Sequence, residues 1–374
     1  MTRVRVAVPP AAAADYDVLV EPGLLNQLPA LLLQYAPAAR YAVISDANVA
    51  RRYGAGVVAR LQAAGLAVSL HEHAAGDEAK TLATWSGLVA ALLGAGVGRD
   101  GCVLGVGGGV SGDIAGFVAA TLHRGIAFVQ VPTSLLAMVD ASVGGKTGVN
   151  TPHGKNLAGA FLPPRLVAID PEVLRTLPRR ELTSGAAEVV KHGAILDAAH
   201  LAEVRRVAPA IRRGDAAVLQ AIVLRSVALK AAVVARDPRE QGERAILNFG
   251  HTLGHALERV TGFRLPHGFA VAAGMVVAAG AGELAGVTET GTARTLAEVL
   301  AELALPVAPP AGVSDAELLA ATALDKKARG GRTRYVLLRR PGEVARPADG
   351  AWTFELPEPL LRQALAAARA FARP

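Results

Sequence analysis

The sequence predicts an α/β N-terminal domain with a parallel sheet, followed by an all-α C-terminal domain. Through the first half, apolar runs of strand length alternate with helical stretches. Beyond Arg180 the pattern turns helical, in long Ala/Leu/Val periodic stretches. At 374 residues the chain suits two domains better than one. Strands that alternate with helices form a parallel sheet covered on both faces.

The elements follow in order. Residues 1–10 alternate apolar and polar side chains like a strand. Residues 41–45 read as a buried strand closed by Asp46, 49–64 as a helix, 66–70 as a strand and 81–93 as a helix. Residues 102–106 are a strand that runs into Gly107, Gly108 and Gly109, and 126–131 a strand closed by Pro132. The domain boundary falls near Arg180, giving units 1–180 and 181–374, and residues 180–304 are helical throughout. A short strand pair at 335–338 and 352–354 precedes a C-terminal helix. Residues 306–312 are a Pro-rich loop, and the chain shows no internal repeat.

Composition narrows the function classes. With 52% hydrophobic and 19% charged residues, the chain can bury a large core, which excludes disorder. The net charge is +7, yet there is no run of five like charges and no aromatic interleaving, which argues against a nucleic-acid partner. A small phosphorylated or carboxylated substrate agrees with the charge. Cys102, the only cysteine, lies in an apolar run and reads as a small buried hydrophobe. Residues 1–10 lack the apolar core of a signal peptide. The longest apolar stretch, 269–282, is shorter than the roughly 20 residues of a membrane helix and is read as a buried helix. A cytoplasmic protein with no membrane partner is expected.

Gly107, Gly109 and Gly112 satisfy G-x-G-x-x-G, after a strand and at the opening of a helix. That geometry turns backbone N–H groups and a helix N-terminus toward a pyrophosphate. The fingerprint's acidic residue about 20 positions on is missing, since Pro132 stands near there, and Asp46 follows an earlier strand instead. A nucleotide site and a plain tight turn are both open on the glycines alone. Gly144-Gly145-Lys146-Thr147 resembles the end of a phosphate-binding P-loop, but Asp140 occupies the position where that motif needs glycine.

Asn248, His251 and His255 are spaced to share one helical face, and His267 follows at the start of the buried helix. Glu188 sits in an apolar helix with Lys191 on its face. One carboxylate with imidazoles from separate helices can bind Zn²⁺ and leave a position open for substrate. The spacing does not say which histidine of the 251/255 pair is the ligand.

Four segments together resemble the 3-dehydroquinate synthase family: 107–161, from GGGVSGD to LAGAF; SGAAEVVKHGAI; GERAILNFGHTLGHALE; and LPHGFAVAAGM. The matches run in order from about Asp46 to Lys327. The resemblance implies a Rossmann-like NAD-binding domain, a divalent metal, Zn²⁺ or Co²⁺, and the anionic substrate DAHP, a phosphorylated seven-carbon keto acid. The family closes DAHP into 3-dehydroquinate with loss of phosphate, in the shikimate pathway of aromatic amino-acid biosynthesis. Its members are commonly homodimers.

By the same resemblance, Glu188, His251 and His267 are the metal ligands, and His255 contacts substrate or water and relays protons. Asp46 and Asn48 look like the adenosine ribose contacts, and Gly108, Gly109, Val110 and Asp113 like the pyrophosphate turn. Thr133 and Ser134 match the nicotinamide-side loop, and Lys80, Lys146, Lys155 and Thr176 match further NAD contacts. The family's G-E-x-x-K motif appears as Gly76 to Lys80, with Asp77 for the glutamate, or Glu78 after a small shift. Substrate positions match at Arg124, Asp140, Lys146, Asn156, Lys191, Lys230, Glu240, Arg244, Asn248 and Lys326, with Lys327 a close rival. Lysine and arginine suit a substrate with a carboxylate and a phosphate, because charge-assisted bonds hold such groups best. The implied chemistry is hydride removal by NAD, phosphate elimination, hydride return and an intramolecular aldol closure. The rivals are a sister sugar-phosphate cyclase of the 2-deoxy-scyllo-inosose or valiolone synthase type and a metal-dependent polyol dehydrogenase.

Overall fold

Apolar runs too short for helices build the centre of the molecule. The computed structural model describes residues 15–326 and 333–372, with the side chains of 324–326 left out. Among the described residues the strands are β1 (Asp17–Val20), β2 (Tyr41–Asp46), β3 (Val68–His73), β4 (Cys102–Gly107), β5 (Ala127–Pro132), β6 (Lys146–Thr151), β7 (Gly154–Phe161), β8 (Leu166–Ile169), β9 (Leu338–Arg340) and β10 (Glu343–Val344). Six of them form one sheet in the order β1-β8-β5-β4-β2-β3, every pair parallel. Its central strands are almost wholly buried, as continuous apolar runs under helices must be. The strands expected at 41–45, 102–106 and 126–131 are there, each shifted or extended by a residue.

The chain leaves β2 toward β3 at one edge, then returns to β4 and builds outward the other way through β5 and β8. The carboxyl ends of β2 and β4 therefore flank the switch point, where open α/β sheets bind ligands. Asp46 ends one strand and Gly107 the other.

Several boundaries differ from expectation. Asp46 caps the following helical segment, accepting from the amides of Asn48 (2.9 Å) and Val49 (3.2 Å), so that segment starts at Ala47. It passes through a wide turn at Ala50–Gly54 before the helix Ala55–Ala63. The strand expected at 66–70 is β3, because the Leu66 amide closes the preceding helix onto the Leu61 carbonyl. Helix 81–93 is Leu82–Gly94, capped by the Thr81 hydroxyl. Beyond expectation are β1, β8 and the antiparallel hairpin β6–β7. The strand-like residues 1–10 lie outside the described residues.

From Arg179 onward helices dominate: Arg179–Leu196, Ala216–Arg236, His251–Val260 and His267–Leu284 carry the site. His267–Leu284 is the expected buried helix, with Ala270 through Gly282 buried. It and Ala216–Arg236 are long and apolar enough to cross a membrane by composition alone. The first is packed in the core, and the second carries Lys230 inward. Near the end, Tyr335 bridges Phe354 as expected, but Leu338 pairs with Val344 in β9–β10 rather than extending that pair. Glu358–Phe371 is the C-terminal helix. Cys102 is buried, and burial pushes its thiol up to about 12, so it is inert at neutral pH.

Candidate active site

One wall is made of backbone. Gly108 caps the helix Gly109–Thr121, so the amides of Gly109 and Val110 face outward at its N-terminus. A Cβ on Gly107 would lie 2.5 Å from Ser111 Cβ and 3.7 Å from Asp46 Oδ2, so glycine is needed and the Asp46 carboxylate stands beside the turn. The Thr133 amide donates to the Gly107 carbonyl (2.8 Å), and Ser134 lies against Gly108. Asn48 follows Asp46 directly in the capped segment and accepts from Arg51 (2.8 Å), and Thr176 is joined to the same segment by Tyr53, whose hydroxyl is 2.5 Å from Thr176 Oγ1.

The other wall is made of side chains held close by small residues. A Cβ on Gly268 would meet the Ser184 carbonyl at 1.8 Å, and the Gly268 amide donates to Ser184 Oγ (3.0 Å). That contact sets His267, the first residue of its helix, against Glu188, one turn beyond Ser184. The helix of His251 starts at Gly250 (φ 77°), whose carbonyl would lie 2.1 Å from a Cβ on Gly274. The break at Gly250 leaves Asn248 in a separate tight turn, Glu243–Asn248, so Asn248 does not share a helical face with His251 and His255. The face that forms is His251, His255 and Glu258.

Glu188, His251 and His267 bring ligand atoms within 4.8 Å of one another. His251 Nε2 and His267 Nε2 lie 3.6 and 3.4 Å from Glu188 Oε1. Ligands about 2.1 Å from a tetrahedral ion stand roughly 3.4 Å apart, so the set fits Zn²⁺. His251 Nδ1 is bonded to the Phe249 carbonyl (3.1 Å), leaving Nε2 to face inward. Neither oxygen of the fully buried Glu188 has a well-formed hydrogen bond, although the Lys191 ammonium lies against Oε2. Burial pushes the Glu188 carboxyl up, but Lys191 and His251 outweigh it and hold the group ionised. Burial, then Lys191, drives His251 down to about 3, the neutral form a metal needs. Burial opposes the charge on His267, but the Glu188 and Glu258 carboxylates facing its two ring nitrogens raise it to about 10. His255 stands edge-on to His251 at 5.4 Å, outside the Glu188 set.

A charged network joins the walls. Lys230 donates to the Asp140 carboxylate (2.6 Å), and Lys191 lies between Asp140 and Glu188. Burial lowers Lys230, whereas for Lys191 the pull of Glu188 and Asp140 overcomes burial and raises it. Lys80 holds Asp113 at 2.5 Å and also meets Asn156; burial still leaves the Asp113 carboxyl above its ordinary range. Lys146 pairs with Glu240, which accepts from Asn248 at 3.0 Å. Lys155 reaches Asp77 (3.2 Å) and Glu258 (3.3 Å). Asp77, not Glu78, is thus the acidic residue drawn into the network. The hairpin β6–β7, unseen in the sequence, delivers Lys146, Lys155 and Asn156. Asn156 (φ 57°) and Glu240 (φ 56°) hold left-handed backbone, a strain that clusters at functional sites.

Of the three other expected residues, one is buried beside the Asp140–Lys230 pair, one is exposed and one is described only in its backbone. Arg244 is buried, but its guanidinium is bonded to the Pro238 and Gly144 carbonyls, with Nε unpartnered. Arg124 is exposed beyond the far end of Gly109–Thr121, about 20 Å from the glycine turn by helix rise. Lys326 ends the helix Asp315–Lys326; its side chain, and Lys327, lie outside the described residues. Sequence reasoning missed Glu258 and His192, both buried charged or polar groups beside the cluster.

A dinucleotide edge at a sheet switch point, facing a carboxylate–imidazole cluster among lysines, places the protein among α/β enzymes that act on small anions with a metal. The match to known proteins is narrower. The N-terminal model of 3-dehydroquinate synthase matches residues 71–184 and the C-terminal model residues 185–328, and the chain belongs to that family. A 3-dehydroquinate synthase from Symbiobacterium thermophilum is 47% identical over 336 residues, covering 89% of this chain and 94% of that protein. Among solved structures, 2-epi-5-epi-valiolone synthase from Streptomyces hygroscopicus subsp. jinggangensis 5008, with NAD⁺ and Zn²⁺ bound, is similar at TM-score 0.88 and 29% identity over 98% of this chain and 99% of that one. A 2-deoxy-scyllo-inosose synthase complexed with carbaglucose-6-phosphate, NAD⁺ and Co²⁺ is similar at TM-score 0.88 and 25% identity over 95% and 97%.

Proposed function

We propose that this chain is a 3-dehydroquinate synthase, converting DAHP to 3-dehydroquinate and phosphate in the shikimate pathway, with NAD and Zn²⁺ or Co²⁺ as cofactors. The observation that carries this is the polar path from the helix of the glycine turn, through Asp113, Lys80 and the adjacent hairpin residues Asn156 and Lys155, to Glu258 and on to Glu188, His251 and His267. The 47% identity to a curated synthase, against 25–29% to the sister cyclases, favours this substrate over theirs.

When bound, NAD supplies a hydride acceptor that returns the hydride, and the metal on Glu188, His251 and His267 supplies Lewis acidity for substrate oxygens. Asp46, Asn48 and Thr176 would hold the adenosine side, Gly108, Gly109, Val110 and Asp113 the pyrophosphate, and Thr133 and Ser134 the nicotinamide side. Asp77, Lys80 and Lys155 would anchor the hairpin over the cofactor.

Lys146, Asn156 and His255 would position the phosphate and shuttle protons, with the departing phosphate itself taking the proton. Lys191, Lys230, Arg244, Asn248, Glu240, Asp140 and Lys326 would hold the carboxylate and hydroxyls, the buried ammonium groups preset by Asp140. The Arg244 role requires its guanidinium to exchange a carbonyl partner for substrate. Arg124 fits only as a residue lent by a second copy, which accords with a homodimer in the cytoplasm. We assign residues 1–180 to the NAD-binding domain and 181–374 to the metal and substrate domain.

The test is incubation with DAHP, NAD⁺ and Zn²⁺, following phosphate and 3-dehydroquinate together, with a chelator control. Equal yields, no net NADH and loss on chelation are expected. Phosphate release from hexose phosphates but not from DAHP would move the assignment to a sister cyclase, and net NADH from a polyol to a dehydrogenase.

A further inference from the structure

We propose that Glu258 is a positioning residue for the metal, holding the His267 imidazole in the tautomer whose Nε2 faces Glu188. The inference depends on the metal reading of Glu188, His251 and His267 and extends it to a residue outside the ligand set. Glu258 lies two turns beyond His251 on the same helix face, and its side chain is 6% exposed. A carboxylate in so dry a place is costly unless it is paired. Its partners include His267 Nδ1 at 3.5 Å and Lys155 Nζ at 3.3 Å.

The geometry divides the imidazole between two carboxylates. Nε2 faces Glu188 at 3.4 Å and Nδ1 faces Glu258 from the other side. An ion on Glu188 and His251 requires the Nε2 lone pair, so the remaining ring proton must sit on Nδ1, where Glu258 accepts it. A carboxylate behind a ligating histidine fixes ring orientation and raises ligand basicity, and its loss commonly costs 10–100-fold in metal affinity. His251 has its own support of this kind in the Phe249 carbonyl. Glu258 supplies the equivalent for His267, which starts its helix after Pro266 and has no backbone carbonyl bonded to Nδ1 among its contacts.

One competing arrangement uses the same atoms. His255, Glu258 and His267 also bring ligand atoms within 4.8 Å of one another, so Glu258 could itself be a ligand of a second ion. The two arrangements differ in stoichiometry.

The test is Zn²⁺ and Co²⁺ titration of the full-length metal-free chain and of E258Q, E258L and H251A, with circular dichroism and cooperative thermal unfolding as the check that each variant is folded. Expected are one ion per parent chain, binding about 10–100-fold weaker in E258L, and an intermediate loss in E258Q, whose amide oxygen still accepts from Nδ1. The Co²⁺ absorption of E258L should also shift, since the imidazole is no longer held. If E258L fails to fold, E258Q carries the result: affinity and spectrum equal to the parent's would overturn the inference. A parent that binds two ions, with one lost in E258Q, would make Glu258 a ligand and overturn it as well. A parent that binds no ion, or binds as tightly in H251A, overturns the metal reading itself, an outcome distinct from unchanged binding in the Glu258 variants alone.

Discussion

The two walls of the site are built by different means. The nucleotide edge is backbone: Gly107 to Val110 form it in one short segment, and the sheet's strand order places Asp46 beside it. The metal wall is side chain: Glu188, His251 and His267 come from three helices and meet only because Gly268 and Gly274 let those helices touch. A backbone site is sensitive to the shape of one turn. A side-chain site is sensitive both to its own atoms and to packing some distance from them. The first is legible as a local motif, and the second only once the fold is known.

The largest effect should come from the side-chain wall. His251→Ala removes a ligand without disturbing the glycine turn. Turnover should fall about 10³-fold, the equivalent of roughly 4 kcal/mol of Lewis-acid stabilisation, while NAD⁺ binding stays within a few-fold. Equal losses of metal and NAD⁺ binding, measured by calorimetry, would break the contrast between the walls.

Next comes the packing beneath that wall. Gly268→Ala sets a Cβ 1.8 Å from the Ser184 carbonyl, backbone against backbone, with no flexible side chain to yield. A loss of about 3 kcal/mol in denaturant unfolding is expected, with weakened Zn²⁺ binding because His267 moves with its helix. Unchanged stability would mean that the helices slide freely and that the glycine is not what positions His267.

A smaller and opposite effect belongs to the backbone wall. Gly107→Ala crowds Ser111 at the turn. NAD⁺ should bind about tenfold more weakly, near 1.4 kcal/mol, with Zn²⁺ stoichiometry and affinity unchanged. Tight NAD⁺ binding in this variant would show that the turn does not meet the cofactor.

The smallest effect needs no mutation. In the metal-free chain His267 is raised from 6.5 to about 10, so its contribution to stability is complete below about pH 6.5 and is lost as pH rises toward 10. Glu258, held down to about 2 by bonds to His267 against the push of burial, contributes above about pH 4.5 and loses that contribution as pH falls toward 2. Between about pH 6 and 7.5 the metal-free chain should lose at most about 1 kcal/mol from this pair, measured by unfolding at each pH. Zn²⁺ should suppress the loss and release about one proton per ion, because it takes the place of the His267 proton. No proton release in buffers of different ionisation heat would contradict the assignment of His267 as a ligand.

The same contrast explains what the sequence revealed. Strands β2, β4 and β5 were legible because each is a continuous apolar run bounded by a glycine, proline or acidic residue. β1 and β8 have four residues each, too few to show a period, and the hairpin KTGVNT–GKNLAGAF has little apolar alternation to mark it. Asn248 was placed with His251 and His255 by spacing, but Gly250 interrupts the helix between them, for a reason that lies in the neighbouring helix and not in the segment itself. Glu258 precedes Arg259 near the end of an amphipathic helix and reads as an ordinary surface charge. Only the packing of His267 and Lys155 against it makes it part of the site.

The most direct test of the two walls acting on one molecule is a labelling experiment. DAHP carrying deuterium at the oxidised carbon, C5, is turned over with unlabelled NAD⁺ and Zn²⁺, and the product is examined by mass spectrometry and NMR. Complete retention of the label at that carbon, with one phosphate released per product, is expected, since the hydride leaves to the nucleotide edge and returns while the substrate stays on the metal wall. Label found in free NADH, or product formed with the label lost to solvent, would contradict the assignment.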